Sequence, residues 1–233
     1  MAGLRLAVLI SGRGSNLQAL IDACAREDYP AEIVLVISNK ADAQGLQRAR
    51  DAGIATLTIN HKDYADRKAF DDAVDAALKD AKAGLVCLAG FMRLLGEAFV
   101  ERWRDRLINI HPSLLPAFKG LATQARAVDA GVRVSGCTVH FVRAAMDDGP
   151  IIVQAAVPVL ADDDADALAA RILKAEHKAY PLAVRLIAEG RARVVNERVV
   201  IDGVKPIEGV MLNPPDPAAK RPSLFEFFER QRD

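Results

Sequence analysis

The sequence lacks three features that would each place it in a well-defined class: paired cysteines, long apolar runs and an excess of one charge. Cys24, Cys87 and Cys137 are its only cysteines and form no CxxC pair, so we expect buried thiols in a reducing compartment and no disulfide framework. No apolar run approaches the ~18 residues of a membrane-spanning helix, and the run at residues 6–10 is too short for the core of a signal peptide. We therefore expect a soluble, cytoplasmic protein.

The charges of the chain balance, since 31 lysines and arginines are matched by 31 aspartates and glutamates. A neutral chain sets up no net field that would attract nucleic acid or an anionic membrane. We therefore expect no nucleic-acid or membrane partner, while the composition leaves open whether the protein is a monomer or homodimer. At 233 residues, with an aromatic content of only 5% and much alanine, the chain fits one good-sized, helix-rich α/β domain.

Apolar strand-like runs alternate with helical patterns through the first half of the chain. The pattern predicts strands at residues 4–10, 33–37, 56–59, 85–89 and 107–111, with helices at about 17–25, 43–52, 64–82 and 97–104 between them. Strands that alternate with helices form right-handed βαβ units. The predicted fold class is therefore α/β, with an open, twisted, mostly parallel sheet and helices on both faces, Rossmann-like in its N-terminal half.

The second half of the chain follows a different pattern. Residues 135–142 and 151–159 are strand-like, and the eight residues between them are too few for a crossover helix, which predicts antiparallel strands. The acidic run at 162–166 suits the N-terminus of a helix that continues to about residue 189, so we interpret the run as a helix cap and not as a metal site. A last hairpin is predicted at 193–200.

The end of the chain differs in composition from the rest. Residues 213–217, Asn-Pro-Pro-Asp-Pro, are typical of a stiff, extended linker. A serine and a glutamate with capping-box spacing predict a short terminal helix at 224–230. We therefore divide the chain into a main domain, residues 1–203, and a proline-containing C-terminal extension, residues 204–233.

Residues 11–16, Ser-Gly-Arg-Gly-Ser-Asn, form a glycine-rich turn between the first strand and the first helix. Such a turn presents free backbone N–H groups at the positive end of the helix dipole, where an anion binds. A dinucleotide fingerprint would require a small residue in place of Leu17 and an acidic residue after the second strand, where Ser-Asn-Lys stands at 38–40. NAD is therefore disfavoured, and two interpretations stay open: a site for a single phosphate, and a plain tight turn.

The strand predicted at 107–111 ends in a polar pair. One residue separates Asn109 from His111, so a strand directs both side chains to the same face, and Pro112 ends that strand because it cannot donate to a central ladder. An amide donor beside a titratable ring suits acyl transfer, although a lone histidine at a strand end, such as His111, is more often structural than catalytic. The four histidines of the chain show no close ligand spacing, so we expect no metal.

Several segments, taken together and in this order, resemble the phosphoribosylglycinamide formyltransferases of purine biosynthesis. They are Ser-Gly-Arg-Gly-Ser-Asn-Leu at 11–17, Leu-Ala-Gly-Phe-Met-Arg at 88–93, Asn-Ile-His-Pro-Ser-Leu-Leu-Pro at 109–116, Gly-Cys-Thr-Val-His-Phe-Val at 136–142 and Asp-Asp-Gly-Pro at 147–150. The resemblance covers roughly residues 4–202 and is far more specific than any single segment.

The resemblance implies the formyltransferase fold, a catalytic domain at residues 1–203, and a one-carbon transfer without a metal. The formyl group of 10-formyltetrahydrofolate, the co-substrate, would pass to the amine of glycinamide ribonucleotide. The family's catalytic residues fall on Asn109, His111 and Asp147. Its ribonucleotide-binding residues fall on Gly14, Ser15, Asn16 and Glu176. Its folate-binding residues fall on Arg67, Met92, Arg93, Leu94, Leu95, Asn109, Arg143, Ala144, Ala145 and Met146.

The chemistry of the three implied catalytic side chains agrees with this reaction. Attack of a neutral amine on a formyl carbon produces an oxyanion and a cationic nitrogen together. Asn109 can donate to the oxyanion, and protonated His111 can donate as well and relay a proton to the departing folate nitrogen. Asp147 would hold the imidazole and favour its charged form. For His140 two interpretations stay open: a partner of this set and, as we expect, a buried structural histidine.

The chain departs from the family pattern in two places. Family members usually carry histidines where this chain has Ala122 and Gln124, which leaves open how that loop orders over the substrates. The chain after about Val204 is also longer than the shorter family members, and the resemblance assigns no role to it.

Three alternative functions stay open. A methionyl-tRNA formyltransferase should carry a basic C-terminal domain for tRNA, which this neutral chain lacks. A formyltetrahydrofolate hydrolase should carry an N-terminal regulatory domain, whereas the first strand here is predicted to begin at Leu4. A non-catalytic module that binds nucleotide phosphates would use the turn at Gly14, and His111 would have no catalytic role.

Overall fold

Nine strands and six α-helices are assigned in this computed structural model, which describes residues 3–203 and Asn213. The strands are β1 Leu4–Ile10, β2 Ala31–Ser38, β3 Thr56–Thr58, β4 Leu85–Leu88, β5 Leu107–His111, β6 Val134–Phe141, β7 Ile151–Pro158, β8 Ala192–Val195 and β9 Arg198–Ile201. The helices are α1 Ser15–Cys24, α2 Gln44–Asp51, α3 Arg67–Asp80, α4 Glu97–Arg102, α5 Thr123–Asp129 and α6 Ala165–Ala188. The elements predicted within this part of the chain are present, with boundaries that differ by a few residues.

The first seven strands form one sheet in the order β3-β2-β1-β4-β5-β6-β7. Strands β1 to β5 are parallel, whereas β6 is antiparallel to both β5 and β7. The prediction of a mostly parallel sheet with antiparallel strands in the C-terminal half is confirmed. Strands β8 and β9 form a separate antiparallel hairpin, as predicted.

The sheet separates two hydrophobic cores. Along β1, Leu6 and Val8 pack into the core formed with helices α1, α2, α5 and α6, while Ala7 and Leu9 pack into the core formed with α3 and α4. Because alternate residues of a strand point to opposite faces, a strand covered on both faces must be apolar at every position. This requirement explains the uninterrupted apolar run of β1.

The strand order places a ligand crevice at a defined point. The chain runs outward from β1 through β2 to β3, then returns to β4 on the other side of β1. In open α/β sheets the loops after the two strands at such a switch point separate and leave a crevice at their carboxyl ends. Here those loops are the glycine-rich turn after β1 and the segment 89–96 after β4.

The acidic run before α6 has a structural role, as expected. The Asp164 side chain caps the helix by accepting a hydrogen bond from the N–H of Ala167 at 2.7 Å. Asp163 pairs with Arg171, with 2.8 Å between Oδ1 and Nη2, and hydrogen bonds with the Arg171 side chain hold the pKa of Asp163 at about 2. Both contacts stabilise the start of the longest helix.

The remaining expectations concern the terminal helix, the cysteines, membrane-spanning helices and metal sites. The predicted terminal helix at 224–230 lies outside the described residues. Within them, Cys87 and Cys137 are buried, Cys24 is partly buried, and all three are free thiols. Over residues 3–203 and Asn213, no helix is long and apolar enough to cross a membrane, and no cluster of three or more potential ligand residues could hold a metal ion.

Tyr180 joins α6 to the centre of the sheet. Its side chain is fully buried, and its hydroxyl donates to the Leu88 carbonyl at 2.9 Å. We expect Tyr180→Phe to lower the free energy of unfolding by about 1–2 kcal/mol, because a buried carbonyl loses its donor. Urea denaturation measures the change. Tyr64→Phe is the matched control, since the Tyr64 hydroxyl has no hydrogen-bond partner among the described residues. Equal effects of the two substitutions would contradict this account.

Candidate active site

The two crevice loops are tied together by one buried hydroxyl. Ser11, at the end of β1, donates through Oγ to Oδ1 of Asn39 at 2.6 Å and accepts a hydrogen bond from the N–H of Met92 at 2.8 Å. Ser11 and Asn39 are 5% and 2% exposed. The turn that follows β1 and the loop that follows β4 therefore lie side by side at one edge of the sheet.

The glycine-rich turn has the geometry of an anion site. Gly14 caps α1 with φ of 72°, and a side chain there would bring its Cβ within 2.6 Å of the Gly45 Cα, so only glycine fits. The next residue, Ser15, begins the helix, whose first N–H groups point back toward the turn. This geometry agrees with the phosphate-binding interpretation without excluding a plain turn.

Asn16 and Glu176 lie together beside this turn. Asn16 Nδ2 donates to Oε2 of Glu176 at 2.7 Å, and the amide oxygen of Asn16, Oδ1, is buried without a partner among the described residues. Glu176 is only 6% exposed, and burial raises the pKa of its carboxyl. Two residues that are 160 positions apart in the chain thus form one polar unit.

Asn109 and His111 share one face of β5, as predicted from their spacing. The neighbours Ile108 and Ile110 pack into the opposite core. In the antiparallel pairing of β5 with β6, Asn109 lies directly opposite His140. Asn109 Nδ2 is 3.4 Å from His140 Nε2, while His140 Nδ1 donates to the Phe141 carbonyl at 3.0 Å.

These contacts assign a tautomer to His140. Since a carbonyl can only accept, Nδ1 carries the proton, and the Nε2 lone pair receives one N–H of the Asn109 amide. The second N–H of that amide is left for another acceptor. His140 is 2% exposed, and its burial lowers its pKa. The expectation of a buried histidine is confirmed, and the ring also orients Asn109.

Asp147 lies within contact distance of His111. Its Oδ2 is 3.4 Å from Nδ1 of His111, which is 5% exposed, and accepts a hydrogen bond from the N–H of Gly120 at 2.8 Å. The other ring nitrogen of His111, Nε2, is 3.0 Å from the Phe118 carbonyl. Both ring nitrogens therefore lie against oxygen acceptors, an arrangement in which the doubly protonated ring would donate twice.

Two cavities meet at these side chains. The larger is about 460 Å³ and the smaller about 140 Å³, and Asn109 and Asp147 line both. His111 lines the larger cavity and His140 the smaller. Several apolar side chains at the larger cavity are strongly exposed, namely Met92, Leu94, Leu121 and Met146. Clustered exposed apolar side chains around a few polar groups are typical of a site for a largely apolar ligand.

The residues that the resemblance assigned to folate fall into two groups. Nine of them line one or both cavities: Met92, Arg93, Leu94, Leu95, Asn109, Arg143, Ala144, Ala145 and Met146. Arg67 lies apart, at a separate cavity of about 240 Å³ that also involves Asp71 and Gly96. The Arg143 guanidinium is already paired with Asp105 and Glu197, each at 2.7 Å, so Arg143 borders the smaller cavity with its charge neutralised.

The loop with the unusual residues is ordered by contacts other than histidines. Ala122 adopts φ of 52° and precedes α5, and both Ala122 and Gln124 line the larger cavity. The loop is held at Lys119, which pairs with Asp148 at 2.8 Å and whose carbonyl accepts from Arg126 at 2.7 Å.

Two supporting residues could not be recognised from their local sequence. Thr138, opposite His111 in the β5–β6 register, accepts from the N–H of Leu115 at 3.0 Å and donates to the Ser113 carbonyl at 2.7 Å. Gln154 donates to Thr138 and to the Leu115 carbonyl, both at 3.0 Å. They fix the chain after His111, and only the strand register could have indicated them.

Chemically, the site places hydrogen-bond donors, a titratable ring and a carboxylate beside a cavity with apolar walls. Such a set stabilises an oxyanion and moves a proton. It therefore fits acyl transfer to a nucleophile that is bound near the glycine-rich turn at residues 11–16, which we call the anion turn.

Comparison with known proteins identifies similar chains. A family model described as formyl transferase matches residues 4–184. Phosphoribosylglycinamide formyltransferase of Escherichia coli (strain K12) is 46% identical over 200 residues, which cover 86% of this chain and 94% of that protein. The crystal structure of glycinamide ribonucleotide transformylase 1 from Symbiobacterium toebii is similar with a TM-score of 0.84 and 50% identity, covering 86% of this chain and 94% of that one.

Much longer proteins are similar over the same part of the chain. The trifunctional purine biosynthetic protein adenosine-3 of Drosophila melanogaster is 56% identical over 195 residues, which cover 83% of this chain but 14% of that protein. The chain therefore spans only a small share of these longer relatives, and the likeness concerns one part of them.

The buried ring of His140 gives a testable pH dependence. Because burial lowers its pKa, we expect the His140 ring to titrate below the ordinary value of 6.5 in NMR spectra, with the Nδ1–H tautomer above that pH. Because the folded state favours the neutral ring, the unfolded state binds a proton more readily. The contribution of His140 to the free energy of unfolding therefore decreases as the pH falls below 6.5. A midpoint above 6.5, or an Nε2–H tautomer, would contradict the assigned geometry.

Proposed function

The chain belongs to the formyl transferase family, among the phosphoribosylglycinamide formyltransferases, and from this membership we propose its reaction in detail. It transfers the formyl group of 10-formyltetrahydrofolate to the amine of glycinamide ribonucleotide. The products are N-formylglycinamide ribonucleotide and tetrahydrofolate, and the step belongs to purine biosynthesis. Folate acts here as a co-substrate, and no metal takes part in the proposed reaction.

The observation that carries the proposal is the convergence of three polar side chains. Asn109, His111 and Asp147 all line the larger cavity, and Asp147 lies 3.4 Å from the His111 ring. Geometry of this kind supports transfer over a module that only binds phosphate, which would need no titratable ring beside a ligand cavity.

Asn109, His111 and Asp147 would stabilise the oxyanion and transfer the proton. The amine nitrogen bonds to the formyl carbon, and the former carbonyl oxygen becomes an oxyanion that accepts from the free N–H of Asn109. Protonated His111 donates to the same oxyanion, and Asp147 stabilises the positive ring. The bond from carbon to the folate nitrogen then breaks, and the proton lost by the amine passes through His111 to that nitrogen.

The ribonucleotide would lie between the anion turn and this centre. Its phosphate would accept from backbone N–H groups of Gly14, Ser15 and Asn16 at the start of α1. Glu176, held by Asn16 at 2.7 Å, would accept from a hydroxyl of the same substrate. The contact between Ser11 and Met92 keeps this end of the site next to the cavities.

The folate would occupy the two cavities with its ring system against apolar walls. Residues 92–95 and 143–146 line this pocket. Nε2 of His111 is occupied by a hydrogen bond of 3.0 Å with the Phe118 carbonyl. The loop 117–122 must therefore shift before that nitrogen can contact a substrate. Arg67, which lines the separate cavity beside Gly96, would contact the folate at the edge of this pocket.

We also propose the context in which the enzyme acts. Both substrates are water-soluble metabolites, which supports a cytoplasmic enzyme that acts on small molecules as a monomer or homodimer, without a nucleic-acid or membrane partner. The catalytic domain would comprise residues 1–203, because Glu197 in the β8–β9 hairpin pairs with Arg143 at the pocket. Residues 204–233 would form an extension.

The direct test is an assay with purified protein and both substrates. Formation of deformylated folate should require the ribonucleotide. A matched reaction without the ribonucleotide detects a hydrolase, because water would then accept the formyl group and release formate. Folate turnover that is independent of the ribonucleotide would overturn the proposed acceptor.

Replacement of His111 tests the catalytic assignment. We expect His111→Ala to lower kcat by about 100- to 1,000-fold or more, because it removes a donor to the oxyanion and the proton relay. The Kd for the ribonucleotide should change little. His61→Ala is the control, since His61 lines neither cavity. A His111→Ala variant with unchanged turnover would refute the assignment.

A further inference from the structure

Three buried side-chain atoms lack a hydrogen-bond partner within the described residues: Asn16 Oδ1, Asp71 Oδ1 and His177 Nε2. Buried polar atoms are nearly always paired, so each of these requires a physical explanation. Asn16 belongs to the anion turn. Asp71 has no role in the reaction described above, yet it lies close to the proposed folate pocket.

Asp71 holds the end of a pocket loop. It lies on α3, is 3% exposed, and accepts through Oδ2 a hydrogen bond of 2.7 Å from the N–H of Gly96. Gly96 ends the segment 90–96, whose residues 92–95 line the cavities. A Cβ added to Gly96 would lie 2.9 Å from Oδ2, so a larger residue here would have to displace the carboxylate. One oxygen of Asp71 therefore fixes the loop.

The second oxygen of Asp71 has a candidate partner one helical turn away. Arg67 precedes Asp71 by four residues on α3, and side chains with this spacing are neighbours. Both residues line the cavity of about 240 Å³ beside Gly96, and a Cβ on Gly96 would lie 3.8 Å from the Arg67 Cδ. Within the described residues Arg67 has no ion pair.

We propose that Asp71 is a positioning residue for the folate co-substrate: one oxygen fixes the loop 90–96, and the charge of the carboxylate attracts Arg67 toward that loop. The inference rests on the proposed function, because it assigns Asp71 to the folate pocket of that same site. Asp71 itself lies behind the loop and acts through Arg67 and Gly96.

Burial explains why this carboxylate needs both contacts. Burial raises the pKa of Asp71, whereas the Gly96 N–H and the nearby Arg67 charge lower it. The next residue, Asp72, is partly exposed and pairs with Lys68 and Arg102 at 2.6 and 3.0 Å. Asp72 lines the same cavity, but its two partners are cations on α3 and α4, so it provides a matched control in the same helix.

The test compares Asp71→Asn, Arg67→Gln, the double variant and Asp72→Asn in the two-substrate assay. We expect Asp71→Asn to raise KM for 10-formyltetrahydrofolate about tenfold, as loss of a buried charged contact would. Its kcat and its KM for the ribonucleotide should stay within about twofold of wild type. The double variant should raise the same KM by less than the product of the two single effects, since Asp71 acts partly through Arg67. Asp72→Asn should match wild type.

Several results would overturn the inference. Asp71→Asn with an unchanged KM for folate, a fall confined to kcat, or effects that multiply in the double variant would each do so. If Asp71→Asn does not fold, as judged by circular dichroism, Gly96→Ala decides instead, because its added Cβ displaces Oδ2 and should raise the same KM.

The wild-type reaction separates this inference from the proposed function. Absence of wild-type turnover would count against the proposed function alone. Calorimetric titration with tetrahydrofolate then tests the role of Asp71 directly, and equal Kd values for wild type and Asp71→Asn would overturn it.

Discussion

The alternation of side chains along β5 is the constraint on which the site depends. Ile108 and Ile110 anchor one face of the strand in the core beneath α6, which forces Asn109 and His111 onto the other face. Because β6 runs antiparallel to β5, it ends beside the start of β5, and the loop 142–150 then folds back over that polar face. A shift of β5 by one residue would bury the amide and the imidazole in an apolar core, so packing and chemistry specify the same register.

The loops around the site share one means of attachment: a polar side chain accepts a hydrogen bond from a loop N–H. The three pairs are Ser11 with Met92, Asp71 with Gly96, and Asp147 with Gly120. Each acceptor is mostly buried, where an unpaired group would be costly, so the preferred loop conformation is well defined. Asp147 differs from the other two because it contacts the loop and the His111 ring with the same oxygen, which couples loop position to the catalytic histidine.

Much of this arrangement could be predicted from local patterns. The apolar runs and their spacing predicted the sheet, the glycine-rich turn predicted a helix start with free N–H groups, and the pair Asn109 and His111 predicted a shared polar face. The joint occurrence of short segments then indicated the family. The separation of Arg67 from the cavities could not be predicted, because it depends on how α3 packs beside the segment 90–96.

The sequence by itself determined the elements, their order and the chemical groups available, since these follow from periodicity and from short segments along the chain. Only the tertiary structure decided which distant groups meet. Glu176 reaches Asn16 across 160 positions, His140 orients Asn109 through strand register, and Asp71 reaches Gly96 from a neighbouring helix. The physical reason is that these contacts join residues far apart in the chain, and their geometry is set by the packing of helices on the sheet.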